Sequence, residues 1–493
     1  MTEHILESIG LFVPEIILIA AICIIIVADL LSKKRNQVGG WILLASFVLC
    51  GVALVTQWGL STSAFYEMIV IDPFSVFFKF LLVITGIFVI LFSMQNEELV
   101  PYKSRIGEYY MLISGMMLGM FLMVSSTNLL MMYLAFEMTS ISSYVLVGFT
   151  KKSIRSAESS IKYIIFGSVS SGIMIYGVSL IYGMTGTLNM FEIGAAMGVM
   201  ESTSVFSMAL LMIVAGIGFK IAIVPFHFWA PDVYEGAPIT ITALLAVASK
   251  IAALAMLIRF FRISFTGEDA AGLLIMIPDG IRWDMLLAMM AAAAMILGNL
   301  SALWQDNIKR MLAYSSVAHA GYIMMGVVVL SDQGISAVML YAFMYLFMNL
   351  GAFYVAMLFS NKFKTESIEA YKGLGYRTPF AAIALTIFLV SLTGLPPTAG
   401  FIAKLYIFGA AVNAGWIWLV LIAGIMTIVS LFYYIRIARN MFLYKPEENL
   451  EPVRFDNQTL AVLMLLLAPV LVLGVYFSPV LEFIKHSLSM LGM

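Results

Sequence analysis

Long apolar runs separated by short polar stretches repeat along the whole chain, and each approaches the roughly 20 residues that a helix needs to cross a bilayer. Fourteen such runs are found, near 11–31, 39–60, 72–93, 107–125, 128–149, 161–182, 204–226, 239–261, 284–303, 311–330, 335–360, 380–410, 414–436 and 458–481. The twelfth is long enough to hold a break. No connection between runs is long enough to form a soluble catalytic domain, so any chemistry takes place in the membrane. The pattern predicts an all-α polytopic membrane protein of about 14 transmembrane helices.

Composition agrees with the pattern. Hydrophobic residues make up 62% of the 493 and charged residues 11%, where a soluble protein carries about a quarter charged. The mean hydropathy is +1.01. The net charge of −1 leaves no basic field for a nucleic-acid partner. The start, MTEHILESIG, is acidic, so no cleaved signal peptide is expected. Cys23 and Cys50 both fall in apolar runs and are expected to be buried. Two thiols cannot ligate an iron–sulfur cluster or build a structural zinc site, and no metal site is expected. The dinucleotide fingerprint GxGxxG, the phosphate loop GxxxxGK[ST] and CxxC are all missing from the sequence, so redox cofactors are expected elsewhere.

Basic residues set the orientation. Of the 27 Lys and Arg residues, eighteen fall in odd-numbered connections and four (Arg259, Arg262, Arg282 and Lys485) in even-numbered ones or the C-terminal tail. Odd connections are therefore expected on the cytoplasmic (or matrix or stroma) side and both termini on the opposite face. Five residues are left over, Lys79, Lys162, Lys220, Lys250 and Lys404, all of them lysines inside apolar runs. Burying a charge at a helix centre costs about 2.5–3.5 kcal/mol on insertion scales, and such residues face bundle interiors or wet cavities. Arginine does not deprotonate usefully, whereas lysine does when buried, so a row of lysines points to proton carriage. Snorkelling could account for Lys79 and Lys162 near their span ends; it accounts poorly for Lys220, Lys250 and Lys404.

Glu137 is the one carboxylate well inside a run; Glu15, Asp29, Asp72, Glu108 and Asp284 are expected near span ends, within reach of water or headgroups. Glu137 could form a structural ion pair with a neighbouring lysine, or the same pair could switch. Two unit charges about 4 Å apart at an effective dielectric of 20 interact by about 4 kcal/mol. Moving a proton against about 150 mV needs about 3.5 kcal/mol, so making and breaking one pair is of the required size.

Helix breaks supply the next signal. Pro225 follows Lys220 by five residues and cannot donate to the carbonyl of Ile221, and Gly216 and Gly218 precede that lysine. In the twelfth run Gly394, Pro396, Pro397 and Gly400 precede Lys404, and the prolines free the carbonyls of Leu392 and Thr393. Interrupted helices in corresponding positions of two halves mark transporter ion sites. Matching runs four to eight with nine to thirteen makes each interrupted helix fourth in its set of five, and an odd number inverts the repeats. The expected organisation is an N-terminal three-helix segment (1–106), a first repeat (107–261), a second (284–436), and an amphipathic connection with the last span (437–493).

His319, among Ser315, Ser316 and Tyr322, could relay a proton with an ordinary pKa near 6.5, or simply bond a neighbouring carbonyl. His227 falls where the seventh run meets its loop, beside Trp229, and is a possible accessory. Of the serines after Glu137, Ser140 is read as holding water, Ser142 and Ser143 as allowing close helix packing.

Five stretches then carry a resemblance: PFHFWAPDVYEGAP at 225–238, AVASK at 246–250, SIKYIIFGSVSSGIMIYGVSLIYGMTG at 160–186, NIKRMLAYSSVAHAGYIMMG at 307–326 and SLTGLPPTAGFIAKLYIF at 391–408. Together they make the chain resemble, over essentially its whole length, the subunit N family of proton-pumping NADH–quinone oxidoreductase, respiratory complex I. The related L- and M-type subunits and the stand-alone cation/proton antiporters share its fold, but their loop usually begins HTWLPDA where this one reads HFWAPDV. A second departure is APITIT at Ala237–Thr242, where the family commonly reads APTPVT; the missing proline puts the start of the eighth helix in doubt.

The resemblance implies fourteen spans with two inverted five-helix repeats. By position it implies that Glu137 and Lys220 form a coupling pair, with Lys162 near them. It implies that Lys250 passes the proton inward, His319 relays it and Lys404 is the exit-side group; it gives Lys79 no role. It also implies no cofactor on this chain, with NADH, FMN, iron–sulfur clusters and quinone in other subunits of the complex. The partners implied are the L-, M-, K-, J-, A- and H-type membrane subunits, and the location a bacterial cytoplasmic (inner) membrane. Two rivals stand beside this reading: a stand-alone antiporter subunit or one driven by another donor, such as a hydrogenase, and a membrane-arm subunit that pumps nothing.

Overall fold

A computed structural model of the chain describes residues 2–31, 37–197, 203–269, 272–275, 282–444 and 452–490. Among the described residues, twelve helices are long and apolar enough to cross a membrane, and three more apolar helices are shorter. In chain order the principal helices are α1 (Val13–Leu31), α2 (Val38–Thr56), α3 (Pro73–Gln95), α4 (Ile106–Ser125), α5 (Leu129–Val147) and α6 (Ile154–Thr185). They continue with α7 (Thr203–Ile221), α8 (Trp229–Gly236), α9 (Ile239–Phe265), α10 (Trp283–Leu303), α11 (Ile308–Val329) and α12 (Asp332–Phe363). The last are α13 (Pro379–Thr393), α14 (Ala399–Asn413), α15 (Ile417–Leu443) and α16 (Asn457–Val472). The helix of the seventh apolar run thus stops at Ile221, and α8 follows just beyond the run, while the twelfth run divides into α13 and α14.

Polar caps set where the helices begin. The Asn128 side chain accepts from the backbone N–H groups of Leu130 and Met131, and Asn307 does the same for Lys309 and Arg310, satisfying N–H groups that a helix leaves open at its start. The two caps sit in matching surroundings. Leu129 N–H donates to Leu188 O at 2.8 Å and Met190 N–H to Thr127 O at 2.9 Å; Ile308 N–H donates to Glu366 O at 2.9 Å and Ile368 N–H to Asp306 O at 2.8 Å. In each case the chain that returns to the cap has just left a 32-residue helix, α6 or α12.

Burial orders the helices from core to rim. The hydrophobic stretch of α9 is wholly enclosed, those of α11 and α12 nearly so, and α1 and α15 are mostly exposed. A helix apolar on all faces and buried on all faces belongs inside a bundle; one apolar but exposed on its outer face belongs against lipid. Cys50 is buried but Cys23 faces outward on α1, because only one side of that rim helix meets the bundle.

Several charges expected at span ends are enclosed. Asp72 caps α3, accepting from Ser75 N–H at 2.8 Å, and is fully buried against Arg259 of α9 through two bonds of 2.7 and 2.8 Å. Arg259 also donates to Val124 O at 2.9 Å. It was counted as a connection residue, but α9 extends to Phe265 and carries it inside. Glu15 is likewise buried, 2.7 Å from Lys79, so Lys79 does not snorkel: it ties α3 to α1. Breaking such a buried pair costs about 3–5 kcal/mol.

The doubt over the start of the eighth helix resolves simply. α9 begins directly after Pro238, and Ile241 and Thr242 N–H both bond Pro238 O at 2.9 Å. At the other end of the chain, α15 continues to Leu443 and residues 452–456 are not helical; the rest of the expected amphipathic connection, 445–451, lies outside the described residues. Lys33, Lys34, Arg35 and Lys445 lie outside them as well.

Candidate functional site

The first break positions Lys220. It stands in the last turn of α7, whose helix stops at Ile221 because Ala222 takes φ of +58° and Pro225 lacks an N–H. A left-handed backbone at a non-glycine residue costs about 1–2 kcal/mol, held here by Ile223 N–H on Gly218 O and Trp229 Nε1 on Phe219 O, both at 3.0 Å. Lys220 Nζ, almost completely buried, donates to Ser140 Oγ at 3.0 Å and lies 5.5 and 5.9 Å from the ring centroids of Phe136 and Tyr163. Ser140 in turn donates to Phe136 O at 2.8 Å. Ser140, read as a water-holding serine, is thus the direct partner of the lysine. Ser143 bonds Ser140 O at 2.7 Å and Tyr163 OH at 3.4 Å, while Ser142 Oγ packs toward Gly115.

Glu137 sits one turn before Ser140 on α5. Among the described residues no ion pair joins it to Lys220. Its carboxylate accepts from Ser171 Oγ on α6, and Ser171 meets Tyr133 OH at 3.1 Å. The expected pair is therefore not in direct contact, and each member is held by its own serine.

Lys162 occupies a different place from the one expected. It is 2.7 Å from both Glu158 and Asp232, more than a third exposed, and belongs to a surface network in which Arg310 bonds Asp232 at 2.7 Å and Glu235 at 2.9 Å. Being the ninth residue of a 32-residue helix, Lys162 is still near the open end of α6, where its long side chain reaches α8.

The second half of the site runs along α11. Ser316, His319 and Tyr322 recur every three residues, so they form one stripe spanning about 9 Å. Lys250 donates to Ser316 O and Ser316 Oγ, both at 2.7 Å. It follows directly on Leu245–Ser249, a π-helical turn inside α9; such turns occur frequently at functional sites. His319 Nδ1 lies 2.7 Å from Tyr341 OH and Nε2 3.4 Å from Tyr434 OH, with Tyr434 bonded to Ser315. Tyr322 presents its ring 4.3 Å from Lys404 Nζ.

At the second break Gly394 takes φ of +87°, and at Gly400 an added Cβ would stand 1.7 Å from Ser391 O; only glycine permits that approach. Lys404 donates to Thr393 O at 2.8 Å and to Thr427 Oγ1 at 3.2 Å. Thr393 O is one of the two carbonyls that Pro396 and Pro397 were expected to free. Lys220 precedes its break and Lys404 follows its own.

Lys250, His319 and Lys404 are therefore strung along one helix face, and Lys220, Ser140 and Glu137 form a second group. His227 is buried at the bend between α7 and α8, with Nδ1 meeting no partner among the described residues; it is not exposed at an interface. Missed beforehand were Tyr341, Tyr434, Ser171, Thr427 and Asp232. Tyrosines and hydroxyls are common in membrane helices, and no pattern in the sequence separates these from the others; Ser171 and Asp232 both lie in quoted stretches, where nothing marks them out.

The chain compares closely with known proteins. Residues 126–430 match the family model described as NADH:quinone oxidoreductase/Mrp antiporter, transmembrane. NADH-quinone oxidoreductase subunit N 2 of Chloroherpeton thalassium is 45% identical over 98% of this chain and 94% of its own. Among solved structures, a chain of respiratory complex I from Thermus thermophilus superposes with a TM-score of 0.77 at 28% identity, covering 95% of this chain and 98% of that one. A chain of the archaeal membrane-bound sulfane sulfur reductase gives a TM-score of 0.84 at 25% identity, covering 97% of each. The matched segment takes in both breaks, both groups of buried residues and well over half of the sequence, and the chain belongs to the NADH:quinone oxidoreductase/Mrp antiporter transmembrane family.

Proposed function

We propose that the chain is a proton-translocating membrane-arm subunit of NADH–quinone oxidoreductase, moving protons through Glu137, Lys220, Lys250, His319 and Lys404 while quinone is reduced elsewhere in the complex. The observation that carries this is the stripe on α11: Ser316 holds Lys250, His319 stands between two tyrosine hydroxyls, and Tyr322 faces Lys404. Lysines, a histidine and hydroxyls that can each give and take a proton succeed one another at short range inside an otherwise apolar bundle. Fixed structural charges would instead be paired as Arg259 is with Asp72. Lys220, Lys250 and Lys404 hydrogen-bond only neutral groups among the described residues, so none is locked in a direct ion pair as Arg259 is.

The separation of Glu137 from Lys220 fits one state of a switch, with the pair open. In the closed state the two approach, and the gain of about 4 kcal/mol for a contact near 4 Å at a dielectric of 20 is enough to move a proton's worth of work. The matching caps of α5 and α11 support two five-helix repeats, 107–261 and 284–436. Counted from the capping asparagines, Glu137 takes the place of Ser316 and Ser140 that of His319. Five helices per unit invert the second against the first and, with the two broken helices counted once each, give fourteen crossings. On this reading the odd connections face the cytoplasm of a bacterium, the chain holds no redox group of its own, and its neighbours are the other membrane subunits.

Replacing Glu137 with alanine tests the reading. The assembled complex is expected to keep NADH oxidation at low proton-motive force but to carry fewer protons per electron pair; a full proton ratio in an assembled Glu137→Ala complex would remove Glu137 from the path. A second reading, the same pump driven by another electron donor, is favoured by the likeness to the sulfane sulfur reductase chain. Copurification with NADH-oxidising subunits decides between them.

A further inference from the structure

The two groups of buried residues are joined at the surface by α8, the short helix after the first break. Asp232 of α8 is shared: Oδ2 bonds Lys162 of α6 at 2.7 Å, and Oδ1 bonds Arg310 of α11 at 2.7 Å. The helix is seated closely on α6. Ser159 Oγ donates to Asp232 O at 2.8 Å, and a Cβ on Gly236 would stand 2.1 Å from Ser159 Oγ. At its other end Trp229 stacks on Tyr163, centroids 4.5 Å apart and planes at 16°, and Tyr163 is one of the two rings beside Lys220. On the far side, Arg310 and the neighbouring Lys309, which donates to Ala237 O at 2.8 Å, hold α8 and its exit to the first turn of α11. Ser316 lies six residues beyond Arg310, about 9 Å along that helix.

We propose that Asp232 is a positioning residue that couples the Glu137–Lys220 half of the row to the Lys250–His319 half, its carboxylate dividing its hold between Lys162 and Arg310. A shift of α8 toward α6 strengthens the first contact at the expense of the second and moves Trp229 and Tyr163 against Lys220. A shift toward α11 does the reverse. The carboxylate thereby biases one small element that both halves touch, which is what coupling between two sites requires physically. Side-chain pairs at a wet surface contribute little to stability, about 0–1 kcal/mol. A network of this kind is therefore better suited to biasing a movable helix than to holding the fold. The inference rests on the proton-carrying reading of the row.

The test uses the whole complex in proteoliposomes, with Asp232→Asn, Asp232→Glu, Lys162→Met and the Glu137→Ala control compared for protons moved per electron pair and for assembly. The expected result is that Asp232→Asn and Lys162→Met assemble and lose the share of pumping lost by Glu137→Ala, while Asp232→Glu restores it. A merely structural Asp232 would instead lower the amount of complex and leave the ratio of what assembles unchanged. Full pumping by assembled Asp232→Asn beside an uncoupled Glu137→Ala overturns the coupling role and leaves the row standing. If Asp232→Asn does not assemble, Lys162→Met decides: a full ratio there overturns the role. Full pumping by Glu137→Ala itself removes Glu137 from the path, and the coupling role with it.

Discussion

At the scale of single residues, the chemistry depends on what each buried lysine touches. Lys220, Lys250 and Lys404 meet oxygens of serine, threonine or the backbone, whereas Lys79 meets the carboxylate of Glu15. That difference separates groups that can change charge from one that is fixed. In the sequence all four are lysines in apolar runs, Lys79 set apart only by its nearness to a span end, because ion pairing across helices leaves no local pattern. Glu15 lies in the first turn of its helix, and the packing of α1 on α2 and α4 encloses it. Ser140 gives a direct check. Removing the acceptor of a buried ammonium costs about 1–3 kcal/mol, on the order of tenfold in the occupancy of the charged form. Ser140→Ala is expected to slow coupled turnover by roughly tenfold with the complex intact, and Ser140→Thr to retain most of it. Wild-type coupled turnover in the alanine variant would detach Ser140 from the site.

At the scale of elements, the breaks were legible and their consequences only partly so. Proline and glycine announced both interruptions, and the carbonyl of Thr393, freed by the prolines, is one that Lys404 uses. The positive φ of Ala222 and the π-helical turn before Lys250 left no trace in residue type, since alanine, leucine and serine fit an ordinary helix. The two five-helix repeats proposed above share the pair TNLLMMY and DNIKRML, where an asparagine caps a helix and the chain returns to it after 32 helical residues. Gly400 carries the element-scale prediction. A methyl group there meets Ser391 O at 1.7 Å, and relief requires α13 and α14 to separate, at about 1–3 kcal/mol for overpacking. Gly400→Ala is expected to lower the melting temperature of the purified complex and its pumping together. An unchanged melting temperature would show that the close approach is not needed.

At the scale of the whole molecule, an enclosed core of α9, α11 and α12 carries Lys250, His319 and Tyr341, and rim helices such as α1 and α15 shield it from lipid. The Asp72–Arg259 bond bolts α3, α4 and α9 at one face, and the Asp232 network joins α6, α8 and α11. On the proposed function, protons cross this core along the α11 stripe, where Lys250 links the two halves. The most direct measurement is the number of protons moved per electron pair by assembled complex carrying Lys250→Met, which keeps the side chain's length and removes its charge. Electron transfer is expected to continue and the ratio to fall; an unchanged ratio in fully assembled complex would contradict passage through Lys250.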